Sequence, residues 1–477
     1  MNTRLKRERY VEWGVLALFF ALVLAWSLTT WLQGGPDEEM RYDVAKYLYE
    51  HPGTLPRGEE EAIRNETWGI SYAFYPILSY MVSAVFMWIA GIFSTSKDVL
   101  LHAARLADVL FMTVAAWYTI QIGKRLFGKE KGLFFSVLVI FLPGYLYLGT
   151  YVNNDALAMM AAAMILYAWV KYLDEGWTWK NCVLLAVGMG ICFLSYYNAY
   201  GWILWSFFFF CLTVLLCSKK PMRERWRFLF SRGIVIAAVT LGISGWWFVR
   251  NYFLYDGDIL GRKASALCAE KYAQEKFKPS VYMTPAKMGW SLKELFLYQD
   301  PGWSHNWIMM VLISFVGLFG SGFDIYMNET VSKVYIVFLA AGCAAVCLML
   351  REFCWKKQTV TVQKSTVGGE KIKVKTVRTS KEWSARGIFN VMMAASLATP
   401  VVLFIQYAYS SDNQAQGRYI MSAVYPLMYF VTCGYGKLLE RLVKNEEIRK
   451  WLYRGVAVLW IAGAVLTYFL LIRPAYS

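Results

Sequence analysis

The chain has 477 residues, 58% of them hydrophobic and 17% charged, with a formal net charge of +16. Apolar runs of about 17–25 residues recur from end to end, which excludes a soluble globular protein and marks a polytopic membrane protein. The positive charge is no sign of nucleic-acid binding, because the basic residues collect in short loops between apolar runs, the pattern of cytoplasmic loops.

The first run, Trp13 to Leu32, follows Arg4, Lys6, Arg7 and Arg9 and is followed by no small-residue cleavage site. It reads as a retained first span with a cytoplasmic N-terminus. Basic clusters at Lys124–Lys131, Lys219–Arg227, Lys356–Lys381 and Lys444–Lys450 share that side. Threading between them predicts spans at 13–33, 98–123, 132–150, 155–173, 181–197, 199–217, 230–249, 332–351, 388–408, 418–437 and 453–472. The fold class is therefore all-α, a polytopic helical bundle of about 11 transmembrane helices, or up to 13. The two further apolar stretches, Pro76–Phe93 and Trp307–Phe323, fall on the outer side. Crossing there would break the charge pattern, so both read as re-entrant or interfacial helices.

This threading leaves long external loops at 34–97 and 250–331, and short external corners at 151–154 and 409–417. It divides the chain into a module over 1–331 and a C-terminal set of spans over 332–477. The latter carries a cytoplasmic insert, 354–384, whose alternating Val and Thr on either side of Gly368-Gly369 predict a basic β-hairpin. Nine cysteines form no C-x-x-C pair, and His51, His102 and His305 are scattered. Neither a disulfide framework nor a His-based zinc site is expected.

In chain order, the first polar cluster is QGGPDEEMRYDVAKYLYEHPG, residues 33–53. Met40, Val44, Tyr47 and Leu48 lie on one face of a short helix along the membrane. Asp37 and Glu38 open it, and Arg41 shares their face. Acids there can simply cap a helix N-terminus. They can also abstract a proton from an acceptor hydroxyl or hold a cation where water meets lipid. Arg105 and Asp108, three apart inside the second predicted span, read as a self-neutralising local pair. Asn154 and Asp155 open the fourth span, either as an N-cap or as a second polar pair facing Asp37 and binding acceptor or cation. Arg250 and Arg418 are external cations at span ends, where a lipid phosphate sits and a guanidinium fork suits it. Asp300 and His305 lie in an aromatic loop that can line an acceptor cleft.

P-D-E-x-x-R-Y at 36–42 resembles the GT-C superfamily of integral-membrane glycosyltransferases, most of all the aminoarabinose transferases and protein O-mannosyltransferases. A-R-L-A-D at 104–108 with G-K-R-L-F-G at 123–128, N-N-D-A-L at 153–157, F-V-R-N-Y-F-L-Y-D-G-D at 248–258 and Q-G-R-Y at 416–419 are similar to later motifs, in the family's order. The resemblance implies an inverting transfer of a sugar from a polyprenyl-phosphate donor to a glycan, lipid or protein acceptor, at the outer face of a bacterial plasma membrane. It implies Asp37 and Glu38 as the catalytic candidates and Arg250, Arg418 and Arg41 as donor-phosphate contacts. A divalent cation (Mg2+ or Mn2+), if present, would sit on Asp37 and Asp155. Two family features are missing. Phe74-Tyr75-Pro76-Ile77 stands where many relatives carry K/H-P-P-L, and Leu194-Ser195-Tyr196 where many carry Leu-Thr-Lys. The donor phosphate must then be held otherwise, and a non-catalytic binder of lipid-linked saccharide stays open. A transporter is the other alternative, although no internal repeat or mid-membrane polar cluster supports one.

Overall fold

The computed structural model describes residues 3–32, 34–322, 324–348, 355–362 and 376–476. Its helices run in order α1 (Thr3–Thr29), α2 (Glu38–Glu50), α3 (Leu78–Gly91), α4 (Lys97–Phe127), α5 (Lys129–Ile140), α6 (Pro143–Tyr147), α7 (Asp155–Glu175), α8 (Trp179–Phe193) and α9 (Tyr200–Cys217). There follow α10 (Met222–Leu254), α11 (Arg262–Tyr272), α12 (Leu292–Leu297), α13 (Trp307–Gly317), α14 (Glu329–Ala345), α15 (Ala385–Ser410), α16 (Val424–Leu442), α17 (Glu446–Thr467) and α18 (Arg473–Tyr476). Lipid offers no partner for backbone N–H and C=O groups, so the apolar runs close their own hydrogen bonds as helices. Among the described residues, eight helices are long and apolar enough to cross a membrane. The other predicted spans are the shorter α5 with α6, α8 and α16. The chain is a multi-pass membrane protein.

The predicted span 132–150 is broken in two. Pro143 opens α6 and cannot continue the hydrogen-bond ladder of α5, and Leu142 before it takes an extended ψ of 123°. Non-helical backbone at this depth survives only inside protein. Residues 134–156 are accordingly buried without interruption at the centre of the main core. Close approach between helices comes from glycine. A Cβ on Gly123 or Gly132 would strike the facing backbone between α4 and α5, and one on Gly434 would strike the Gly342 carbonyl between α16 and α14.

The two outer apolar stretches form α3, of 14 residues, and α13, of 11. At 1.5 Å per residue they are about 21 and 16 Å long, short of the roughly 30 Å hydrocarbon layer. Strands β1 (Leu318–Phe319) and β2 (Ile325–Tyr326) make a small antiparallel turn after α13. The expected hairpin is present as β3 (Trp355–Val362) and β4 (Thr376–Trp383), in register from Trp355↔Trp383 to Val362↔Thr376. Its Gly368-Gly369 turn lies outside the described residues.

Candidate active site

The site is built on the turn Gly34–Asp37 between α1 and α2. The Gly34 carbonyl accepts hydrogen bonds from Tyr147 Oη (2.7 Å) and Tyr476 Oη (3.1 Å). Gly35 lies against the Tyr151 ring, where a Cβ would collide. The Pro36 carbonyl accepts from Arg418 Nη1 at 3.3 Å. The turn is thus clamped by the corner after α6, by the C-terminal helix and by the loop after α15.

Asp37 takes the left-handed conformation (φ 58°, ψ 18°), which Asp tolerates better than most residues. Its side chain makes no cap hydrogen bond to α2. The helix-cap explanation of this residue therefore fails. Asp37 Oδ2 instead accepts from Arg418 Nη2 at 2.6 Å and Tyr72 Oη at 2.9 Å, with Arg41 Nη2 at 4.0 Å. Burial alone would raise the carboxyl's pKa. The charges of Arg418 and Arg41 and the hydrogen bonds from Arg418 and Tyr72 outweigh it and hold the carboxyl at about 2. The side chain remains 35% exposed, so it is reachable from outside the bundle.

Arg41 is fully buried and also bonds Asp155 Oδ2 at 3.3 Å through Nη1, with its guanidinium 4.6 Å over the Tyr72 ring. Arg41 thus stands between Asp37 and Asp155, contacting both carboxylates. Asn154 does not cap α7. That role falls to Asn153, whose Oδ1 accepts from the Ala156 N–H at 2.8 Å. Both polar atoms of the buried Asn154 side chain have no partner within the protein.

Glu38 is sealed. Its two oxygens accept from Arg105 Nε and Nη2, both at 2.7 Å, and Oε1 also accepts the Val152 N–H at 3.0 Å. Arg105 further donates to the carbonyls of Ser27, Thr30 and Trp31 at the end of α1. This corrects the expected Arg105–Asp108 pair. The partner of Arg105 comes from a different helix, and Asp108 Oδ2 accepts the Asn153 N–H instead.

Arg418 sits in a 3-10 turn, Gly417–Ala423, and its Nε donates to Gln416 Oε1 at 2.6 Å. Arg250 does not join the cluster. It donates to the Pro56 carbonyl and to Asn251 Oδ1, and lies 4.9 Å from the Trp247 ring. Asp300 closes its own turn onto the Gly302 N–H and His305 lies 3.4 Å from Glu329, so neither reaches Asp37. Tyr72 was not singled out from sequence. The only pointer to it is its place two residues before the Phe74–Ile77 segment.

No group of three or more potential metal ligands exists among the described residues. Asp37 Oδ2 is taken by Arg418 and Tyr72, and Asp155 Oδ2 by Arg41. A guanidinium occupies the place between the carboxylates, so these residues do not fit a resident divalent cation.

A family model described as dolichyl-phosphate-mannose-protein mannosyltransferase matches residues 82–246. The apo Archaeoglobus fulgidus oligosaccharyltransferase superposes with a TM-score of 0.52 at 13% identity, covering 98% of this chain. The chain has the GT-C fold. The oligosaccharyltransferase AglB from Archaeoglobus fulgidus, in complex with an inhibitory peptide and a dolichol-phosphate, matches this GT-C chain with a TM-score of 0.51 at 13% identity and 98% coverage. ArnT from Cupriavidus metallidurans bound to undecaprenyl phosphate is similar at 14% identity over 95% of this chain and 70% of its own, with a TM-score of 0.48. This GT-C chain spans 55% of the apo archaeal enzyme and 56% of the complex. No curated protein matches it by sequence.

Proposed function

We propose that the chain is a membrane glycosyltransferase that moves a sugar from a polyprenyl-phosphate donor to an acceptor hydroxyl at the outer face of a bacterial plasma membrane, with inversion. The observation that carries the reading is Asp37. It is a part-exposed carboxylate on a rigid turn at the end of α1, held by Arg418 and Tyr72 rather than capping its helix. The family described for residues 82–246 and the dolichol-phosphate in the AglB complex support a lipid-phosphate donor. The basic clusters at the opposite end of the bundle support an external site.

In the reaction the acceptor oxygen attacks the anomeric carbon as the bond to the phosphate oxygen breaks. The polyprenyl phosphate leaves as an anion, and the acceptor proton passes to Asp37. A carboxylate held at about 2 is a weak base. A donor phosphate competes with Asp37 for the fork of Arg418, and its arrival removes the largest influence that lowers the carboxyl's pKa. The base therefore strengthens when the donor is loaded. Arg41 holds the Asp155 carboxylate in place beside the acceptor, and Glu38 anchors the turn rather than reacting.

The pairing of Asp37 with two arginines favours a second reading, a non-catalytic binder of lipid-linked saccharide. Reconstituted protein given radiolabelled polyprenyl-phosphate sugars and mixed acceptors separates the two. Wild type should release polyprenyl phosphate and Asp37→Asn should not. Donor retention without release by wild type would establish the binder, and no retention of any donor would remove both readings.

A further inference from the structure

At the end of the bundle away from Asp37, a cleft of about 820 Å3 opens between α1 and α17, with α5 as its floor. The two outer helices meet at the site end, where Thr29 Oγ1 and Tyr468 Oη lie 2.9 Å apart, and the cleft separates them at the other. Its walls are apolar, formed by Val15, Ile120, Leu133, Val137, Ala457 and Ile461. The one hydroxyl in the floor, Ser136 Oγ, donates to the Gly132 carbonyl at 2.8 Å and lies 3.2 Å from that of Thr119. It is spent within the protein, so the floor suits a hydrocarbon chain and not a polar head.

The mouth is charged. Lys124 pairs with Glu12 at 2.7 Å on one side, and Arg454 with Glu130 at 2.6 Å on the other. A second cavity of about 300 Å3 shares Glu12, Ile120 and Lys124 and adds Arg9, Trp13 and Trp117. Around the two cavities three cations, Arg9, Lys124 and Arg454, face two carboxylates, Glu12 and Glu130. An apolar slot open to the bilayer, under a rim with surplus positive charge, has the chemistry of an anionic-lipid site. Basic pockets between membrane helices hold phosphate head groups in this way, with tryptophans at the interface.

We propose that this cleft binds an anionic phospholipid, one acyl chain lying on α5 and the head-group phosphate over Arg9 and Lys124. The site is separate from the Asp37 cluster and does not depend on the transfer reaction. Native mass spectrometry of the full chain in mild detergent tests it, with phosphatidylglycerol and phosphatidylcholine of matched chains as probes. Wild type should retain phosphatidylglycerol preferentially. Arg9→Ala leaves both ion pairs intact and should lower that preference about fivefold. Val15→Trp fills the slot and should lose both lipids while unfolding at the wild-type temperature. Ile461→Trp is the equivalent plug should Val15→Trp fail to fold. Equal retention of the two lipids by wild type, or undiminished retention by a folded plug variant, would overturn the proposal. So would displacement of the lipid by inorganic phosphate alone.

Discussion

The Asp37–Arg418 pair can be weighed by a double-mutant cycle of Asp37→Asn, Arg418→Gln and the two together. Two unit charges about 4 Å apart attract by about 4 kcal/mol at an effective dielectric constant of 20. Desolvation of Arg418, whose side chain is 9% exposed, takes part of that back, and the 35% exposure of Asp37 screens more. The remainder is of the order of a charged hydrogen bond, about 1.5–3 kcal/mol of coupling. Resistance to a denaturing detergent titrated against the folded protein, at neutral pH and fixed salt, measures it for the four proteins. Asn keeps the shape of Asp37 and tolerates its left-handed backbone, so the single variant isolates the charge. It should also cut sugar transfer by about 10²–10⁴-fold, the usual worth of a general base. The carboxyl's pKa is depressed on folding, from an ordinary 3.8 to about 2. Its contribution is therefore complete above about pH 4 and is lost as pH falls towards 2, and Asp37→Asn should flatten that stretch of the stability profile. A coupling below about 0.5 kcal/mol, the range of an exposed surface pair, would refute the clamped arrangement and the base activation drawn from it.

Glu38→Gln breaks a fully buried, two-point ion pair and leaves Arg105 uncompensated, so it should cost about 3–5 kcal/mol and reduce the yield of folded protein far more than Asp37→Asn. Normal stability of that variant would show that the pair is not formed. Gly35→Ala puts a methyl group into the Tyr151 ring, and should lower both thermal stability and transfer without altering any charge. Because Arg41 stands between Asp37 and Asp155, transfer should persist in excess EDTA, and an absolute Mg2+ or Mn2+ requirement would contradict that placement. In a background without native cysteines, cysteine at Lys276 should react with a membrane-impermeant thiol reagent in intact cells while cysteine at Lys220 resists, and the reverse pattern would turn the site to the cytoplasm.

Helix positions were legible because a chain in lipid must satisfy its own backbone, which makes apolar length a direct readout. The break at Phe141–Leu142 was not, because Pro143 lies within an apolar run and its effect depends on the surrounding protein. Asp37, Asp155, Arg41 and Arg418 each stood out as charges on the outer side. Their pairing was not legible, since Arg418 is 381 residues from Asp37 and no local spacing encodes it. Glu38 misled for the same reason. Its only visible neighbour in sequence was Arg41, while the residue that binds it lies on α4. Arg250 shares the charge and span-end position of Arg418, yet a loop carbonyl at Pro56 captures it, and only the folded loop shows that.

The clamp on the Gly34–Asp37 turn also imposes an order on biogenesis. As the chain leaves the ribosome, α1 and the turn are inserted first, but Arg105, Tyr147, Arg418 and Tyr476 are still unmade. Until Arg105 arrives, Glu38 is a charge without a counterion and stays in water. Until residue 418 is synthesised, Asp37 lacks the cation that holds its carboxyl low. A nascent chain arrested before Gly417 should therefore carry Asp37 with a pKa closer to that of a free aspartate, measurable by reactivity with a water-soluble carbodiimide. Asp37 reaches the membrane surface 381 residues ahead of the arginine that holds it, so on the proposed reading a half-made protein has no competent site to expose to the lipid pool.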